Sequence, residues 1–265
     1  MVGHRGAGGC APENTLPAIR HAVEVGADAV EIDLHATRDG RLVLLHDDTV
    51  DRTTDGSGPA EEMTLDELRR LDAGHAFTPD RGRTYPFRGT GVRLPTLEEA
   101  LEAADPLPVV AEVKTERSAD VLRRLLDEGR VDGDRLLVGG FARSAVERAA
   151  GGARWRCAAE EELRPYVLLP KLGLGWLPAA RAPRAAAVMV PERHSLVRIV
   201  TRRFVRRAHG DGLGVYAWTV NRADDMRRLL ALGVDGLISD LPGRARRISD
   251  EVHGRDARPP AATRP

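Results

Sequence analysis

The fold turns on one stretch, Ala29-Val30-Glu31-Ile32-Asp33-Leu34-His35-Ala36-Thr37-Arg38-Asp39-Gly40-Arg41-Leu42-Val43-Leu44-Leu45-His46-Asp47. Apolar and polar residues alternate around Asp39-Gly40, and an Asp-Gly pair between two such runs is a strong hairpin signal. A two-residue turn there sets Arg38 opposite Arg41, Thr37 opposite Leu42 and, farther down, Asp33 opposite His46. Directly opposed residues share a face, with Cβ atoms roughly 4.5–5.5 Å apart. Side chains alternate along a strand, so Glu31 joins Asp33 on that face. Val30, Ile32, Leu34, Val43 and Leu45 fall to the other face, which packs. A charged face is ordinarily the wet side of a sheet; this one gathers two carboxylates and an imidazole.

At 265 residues the chain is long enough for one barrel or two small domains. Its 40 basic and 40 acidic residues balance, which argues against a nucleic-acid binder driven by phosphate neutralisation. Lys114 and Lys171 are the only lysines in a chain that otherwise uses arginine, so each asks why a compact point charge was needed. Cys10 and Cys157 are too few for a disulfide framework and lack zinc-site spacing. The opening Met1-Val2-Gly3-His4-Arg5-Gly6 has no apolar run, and no later stretch has the length of a membrane span. A cytoplasmic setting without stable membrane insertion is the expectation.

In chain order, Met1 to His4 reads as a stub of strand, followed by a glycine loop at Gly6-Ala7-Gly8-Gly9. Asn14 is expected to cap a helix with Leu16, Ile19, Ala22 and Val23 on one face, stopped by Gly26. Residues 49–93 turn richer in Gly, Thr, Pro and charge and carry one short helix with a capping box from Thr64 to Glu67. A second box, Thr96 to Glu99, starts a helix through Ala104. Strands follow at Val109–Lys114, Arg135–Phe141, Trp155–Ala159, Ala186–Val190, Leu213–Val220 and Gly236–Ser239. Helices are expected at Ser118–Glu128, Ser144–Ala150 with a box at Glu147, Ser195–His209 and Asn221–Leu232. Prolines and glycines interrupt any period over 160–184.

Leaving the return arm Leu42–His46 aside, about eight strands alternate with helices, the count and size of a (β/α)₈ TIM barrel. The expected organisation is one barrel domain over 1–248, an inserted subdomain at 49–93 after the second-strand hairpin, and a flexible tail over 249–265.

Active sites of such barrels lie at the C-terminal ends of the strands. There the sequence offers His4 and Arg5, Glu31 and Asp33, Glu112 and Lys114, and Trp218, Thr219 and Asn221. A salt-bridged barrel interior explains any one pair. Three carboxylates from separate positions on one rim repel one another and lose solvation unless something positive lies among them. Oxygen ligands without thiolate favour Mg²⁺ or Ca²⁺, with Mn²⁺ a third option, over zinc. His4 and His46 stay free for proton transfer, and Arg5 and Lys114 add positive charge for an anion.

His4-Arg5-Gly6, Pro12-Glu13-Asn14-Thr15, Glu31-Ile32-Asp33, His46-Asp47, Glu112-Val113-Lys114 and Trp218-Thr219-Val220-Asn221, in this order, resemble the glycerophosphodiester phosphodiesterase family from Val2 to about Arg244. The resemblance implies cleavage of a small-molecule glycerophosphodiester to sn-glycerol 3-phosphate and an alcohol. It makes His4 and His46 the acid–base pair and Glu31, Asp33 and Glu112 the holders of one divalent cation. Arg5 and Lys114 bind phosphate, Trp218 walls the pocket, and Glu13 and Asn14 support the loop and helix start. Attack by water and attack by the substrate's own neighbouring hydroxyl both remain open. Gly139-Gly140 departs from the family, which more usually has small hydroxyl residues there.

Two competing readings are a sphingomyelinase-type lyase of the phospholipase D kind acting on lysolipids, and a silent phosphodiester-binding protein. The lyase calls for an exposed apolar lip and usually a disulfide, neither of which the sequence displays; silence calls for a lost site residue. Asp51-Arg52-Thr53-Thr54-Asp55-Gly56 with Glu62 imitates an EF-hand loop, but Thr53 stands where Asp or Asn belongs. His35 reads as a surface histidine, and His21, His75, His194, His209 and His253 as solvated or capping residues. Head group and oligomeric state have no signal in the sequence.

Overall fold

The computed structural model describes residues 1–152, 155–194 and 197–254. Its parallel strands are Val2–Gly3 (β1), Ala29–Ala36 (β2), Val109–Val113 (β4), Leu136–Gly140 (β5), Trp155–Arg156 (β6), Ala187–Pro191 (β7), Gly214–Trp218 (β10) and Gly236–Ser239 (β11). Leu42–Leu44 (β3) pairs antiparallel with β2, and Arg193–His194 (β8) with Val197–Arg198 (β9). β11 returns to β1 through Val2 and Ile238. Between β6 and β7 a Cys157–Ala187 bridge and the Ala158 N–H, 2.8 Å from the Ala187 carbonyl, complete the ring. The alternation therefore closes into the expected eight-stranded parallel barrel.

Helices Leu16–Glu24 (α1), Leu97–Ala103 (α3), Glu116–Asp127 (α4) and Arg143–Ala149 (α5) cover one half of the barrel. Glu160–Lys171 (α6), Arg202–Gly210 (α7), Ala223–Ala231 (α8) and Pro242–His253 (α9) cover the other. Each half has its own core: Ile32, Leu34 and Val113 with Leu97 and Leu122 in the first, Val188 and Val215 with Phe204 and Met226 in the second. Inside the barrel, Val2, Val110 and Ile238 form an apolar floor. Glu112 lies two residues beyond Val110 on the same strand face, so the inward side turns from apolar to charged toward the C-terminal ends.

The hairpin register differs from the expected one by a residue. Leu34 pairs with Leu44, His35 with Val43 and Ala36 with Leu42, so Leu45, not His46, stands opposite Asp33. The loop holds three residues, Arg38-Asp39-Gly40, with Gly40 at φ +73°. Asp-Gly suits that bulged turn as well as the two-residue one. Asp39 selects it, because its carboxylate accepts from Thr37 Oγ1 at 2.6 Å and from the Leu65 N–H at 3.0 Å. A slip of one residue exchanges faces. Leu42 and Leu44 pack toward the helices, while Val43 and Leu45 turn into the core of the insertion with Val50, Ala60 and Leu68.

Within the insertion, Leu65–Leu68 (α2) carries the capping box read at Thr64, and the box at Thr96 opens α3. The box at Glu147 is absent: Glu147 accepts from Arg143 Nε at 2.8 Å. Asn14 does not cap α1; Thr15 occupies that position, and Asn14 sits at φ +55° with its amide on Asp33. The helix expected over Ser195–His209 is α7, starting only at Arg202 behind the Thr201 cap, with β8 and β9 before it. The unreadable 160–184 region holds α6 with Pro165 and Pro170 inside it. Proline removes the N–H that would reach the fourth carbonyl back. For Pro170 that carbonyl is Tyr166, and Arg207 donates to it instead at 2.9 Å. α9 runs through Ser249, where the tail was expected to begin, and buries Ser249 and Asp250. The rest of the expected tail, 255–265, lies outside the described residues. No helix among the described residues is long and apolar enough to cross a membrane.

Candidate active site

β2 and β4 run side by side in parallel with Asp33 in register with Glu112. Period-two alternation turns Glu31, Asp33 and Glu112 inward together, and one oxygen from each lies within 4.8 Å of the others. Glu31 and Asp33 are almost wholly buried. Burial and the neighbouring Asp33 push the Glu31 carboxyl up to about 8. Burial works against ionisation of Asp33 too, but Lys114 and Arg5 outweigh it and hold that carboxyl below its ordinary range. Lys114 Nζ lies 2.8 Å from Asp33 Oδ1 and 2.5 Å from Glu112 Oε1. The three carboxylates outnumber the two cations beside them, Lys114 and Arg5, which is why Glu31 resists ionising, and all the donors are hard oxygens. That chemistry fits a divalent cation.

His4 follows β1. Its Nδ1 lies 2.6 Å from Asp240 Oδ1, just past β11, and its Nε2 lies 4.0 Å from Glu31. Asp240 is itself held by Asn221 Nδ2 at 2.6 Å. Burial lowers the His4 imidazolium, yet the Asp240 bond and the Glu31 charge prevail and raise its pKa. Arg5, at φ +49°, donates its backbone N–H to Glu31 at 2.8 Å and its guanidinium to Glu13 at 2.7 Å. Asn14 grips Asp33 twice, donating from Nδ2 at 2.7 Å and accepting the Asp33 N–H at 3.1 Å. Its part is to fix a carboxylate rather than to start a helix.

His46 reaches the same cavity by a route other than strand pairing. The ladder ends at Leu44, and His46 Nδ1 is tied to Asp47 Oδ1 at 2.6 Å. Arg52 of the insertion donates to Asp47 and, through both terminal nitrogens, to Glu13. The Arg52 bond is the main reason the Asp47 carboxyl falls to about 2. Each imidazole therefore has a carboxylate on Nδ1, which orients the ring and leaves Nε2 for chemistry.

The cavity, about 660 Å³, is lined by His4, Arg5, Glu31, Asp33, His46, Glu112 and Lys114 on one side. Trp218 stands in its wall, as the sequence suggested. The opposite side is mostly apolar, with Phe141 just past β5, Leu163, Val167 and Leu168 of α6 and Val197 of the β8–β9 hairpin, beside Glu160, Arg164 and His194. Leu168 on that wall is exposed, as are Leu172 and Trp176, which follow it in sequence. Cys10 and Cys157 are both free. Gly140 also borders the cavity; a Cβ there meets the Val113 carbonyl at 2.9 Å, which explains why no hydroxyl side chain stands at that position.

Sequence reasoning brought together His4, His46, Arg5, Lys114, Trp218 and the three carboxylates, and missed Asp240, Arg52 and His194. Asp240 had a signal, since it directly follows the last barrel strand. His194 lines the cavity, and His209 pairs with Asp235 at 2.8 Å. His35 is not on the surface: it is fully buried, with Nδ1 3.9 Å from Glu61 of the insertion and Nε2 4.0 Å from Asp48. In the EF-hand imitation, Asp51 and Asp55 accept backbone N–H groups of Gly58 and Asp72.

Comparison with known proteins gives the same answer. The model of the glycerophosphoryl diester phosphodiesterase family matches residues 4–244. A glycerophosphodiester phosphodiesterase of Caldanaerobacter subterraneus subsp. tengcongensis is 30% identical over 251 residues, covering 91% of this chain and 94% of that one. The glycerophosphoryl diester phosphodiesterase domain of a Mycobacterium tuberculosis protein shares the fold, with TM-score 0.80, 23% identity and coverage of 93% and 97%. An Oleispira antarctica phosphodiesterase in complex with the product sn-glycerol-3-phosphate superposes with TM-score 0.73 at 26% identity, covering 94% of this chain and 96% of that one. With the family match spanning nearly the whole barrel, the chain belongs to the glycerophosphoryl diester phosphodiesterase family.

Proposed function

We propose that this glycerophosphodiester phosphodiesterase hydrolyses glycerophosphodiesters to sn-glycerol 3-phosphate and an alcohol, with His4 and His46 as the acid–base pair. The carrying observation is that two imidazoles, each with a carboxylate on Nδ1, border one cavity with three clustered carboxylates. Asp240 and Asp47 hold the rings so that each presents Nε2: one takes a proton from the attacking oxygen while the other gives one to the leaving alcohol. Positioned proton transfer of this kind contributes about 10²–10⁴-fold. Arg5 and Lys114 draw the phosphate toward the carboxylates, and Trp218 walls the pocket. Glu13 and Asn14 hold Arg5 and Asp33 in place.

Glu31, Asp33 and Glu112 would hold one divalent cation, Mg²⁺ or Ca²⁺, with Mn²⁺ also suited to such oxygen donors. When bound, that ion supplies positive charge against the non-bridging phosphate oxygens. The free cysteines suit a reducing, cytoplasmic setting. Phosphorus NMR on glycerophosphocholine, glycerophosphoethanolamine and sphingomyelin, with Mg²⁺ or Ca²⁺ present, tests the assignment. It predicts sn-glycerol 3-phosphate from the first two, and a transient cyclic phosphate resonance marks attack by the neighbouring hydroxyl. Glycerophosphodiesters left intact in both cations contradict it.

A further inference from the structure

His4 and His46 each lean on a carboxylate, but the two carboxylates are held differently. Asp240 takes its support from the neutral amide of Asn221, and His4 is also fixed by its own backbone, whose N–H donates to the Ser239 carbonyl at 2.9 Å. His46 lies past the end of β3, so its place depends more on side chains. Asp47 gives one oxygen to the His46 ring, and its other oxygen accepts from Arg52 Nε at 2.5 Å. The same guanidinium meets Glu13 with both terminal nitrogens, at 2.9 and 2.7 Å. Glu13 Oε1 in turn accepts from Arg5 at 2.7 Å, and Arg5 Nε stands 3.3 Å from Asp33. One line of charged groups, Asp33–Arg5–Glu13–Arg52–Asp47–His46, therefore runs along the polar rim, and Arg52 is the link supplied by the insertion.

A planar guanidinium presents its donors in a fixed fork and can hold two carboxylates at a set angle, which a lysine ammonium cannot. The backbone that carries Arg52 is itself fixed: Val50 is buried in the core of the insertion, and its carbonyl accepts the Thr54 N–H at 3.1 Å and Thr54 Oγ1 at 2.8 Å. The Arg52 side chain is 48% exposed, and ion pairs so open to water contribute little to stability. Its worth lies in orientation. Arg52, Asp47 and Glu13 stand behind the cavity lining, to which His46 and Arg5 belong. We propose that Arg52 is a positioning residue of the reaction: through Asp47 it sets the His46 ring for proton transfer, and through Glu13 it aims the Arg5 guanidinium at the phosphate. The assignment rests on the phosphodiesterase reading and adds to it a residue of the insertion that serves both tasks at once.

The test measures kcat and KM for glycerophosphocholine, with Mg²⁺ or Ca²⁺ present, in Arg52→Ala alone and combined with Asp47→Ala or Glu13→Ala. Arg52→Ala lowers kcat and raises KM, for a combined loss of about 10–100-fold in kcat/KM. Arg52→Lys keeps the charge without the fork and recovers little of it. Guanidinium ion in the assay enters the exposed gap and restores part of the Arg52→Ala rate, which it cannot do for a misfolded chain, and leaves the wild type unchanged. In the Asp47→Ala background Arg52→Ala still raises KM but no longer lowers kcat; in the Glu13→Ala background it lowers kcat without a further rise in KM. Unaltered kcat and KM in Arg52→Ala, no recovery with guanidinium, or losses that multiply independently in the double variants overturn the role of Arg52 while the phosphodiesterase reading stands. Wild-type protein that cleaves no glycerophosphocholine overturns that reading and the positioning role with it.

Discussion

Two arcs of the barrel face each other across one cavity and are made of opposite materials. On the β1–β2–β4 arc every charged group is held by a partner: Asp33 by Lys114 and Asn14, His4 by Asp240, Arg5 by Glu13. On the α6–β7 arc, Leu163, Val167, Pro191 and Ile199 offer only surface. The difference separates two tasks. Chemistry needs groups fixed to fractions of an ångström and sits on paired strands, whereas an apolar wall needs only to exclude water and can be served by a helix and a hairpin.

The sharpest way to break this division is to remove an imidazole. His4→Ala and His46→Ala should each lower kcat on glycerophosphocholine about 10²–10⁴-fold with the far-ultraviolet circular dichroism unchanged. A variant that keeps near-wild-type turnover removes its histidine from the polar arc's chemistry.

A smaller effect sharpens how that arc works. The Asp240 hydrogen bond raises the His4 pKa against the pull of burial, so Asp240→Asn must lower it. In the pH profile of kcat/KM the limb owned by His4 then moves to lower pH. Movement of the acidic limb makes His4 the base, and movement of the alkaline limb makes it the acid. A limb that moves upward, or a profile that keeps its shape, contradicts the role given to Asp240.

The two arcs also differed in how legible they were. Glu31 with Asp33, and Glu112 with Lys114, lie on single strands, so their common direction follows from alternation alone and survives an error in hairpin register. The register itself was misread because Asp39-Gly40 serves two turn types, and the choice between them is made by Thr37 and by the Leu65 N–H of the distant insertion. His46 borders the cavity by a route the sequence could not provide, since the chain leaves the strand before reaching it. Across the cavity, Pro165 and Pro170 hide the period of α6. The contact that tolerates Pro170, Arg207 on the Tyr166 carbonyl, spans 41 residues and has no local signature. Asp240 was readable from its place after the last strand, but its pairing with His4 joins the two ends of the barrel.

Central to the account is the placing of a cation among three carboxylates that repel one another. Isothermal titration of Mg²⁺ and of Ca²⁺ into chelator-treated protein tests it directly, with Glu112→Gln alongside. The account predicts one saturable site per chain for at least one of the ions, weakened at least tenfold by a substitution that removes one ligand charge. No saturable binding of either ion, or binding that Glu112→Gln leaves unchanged, contradicts it.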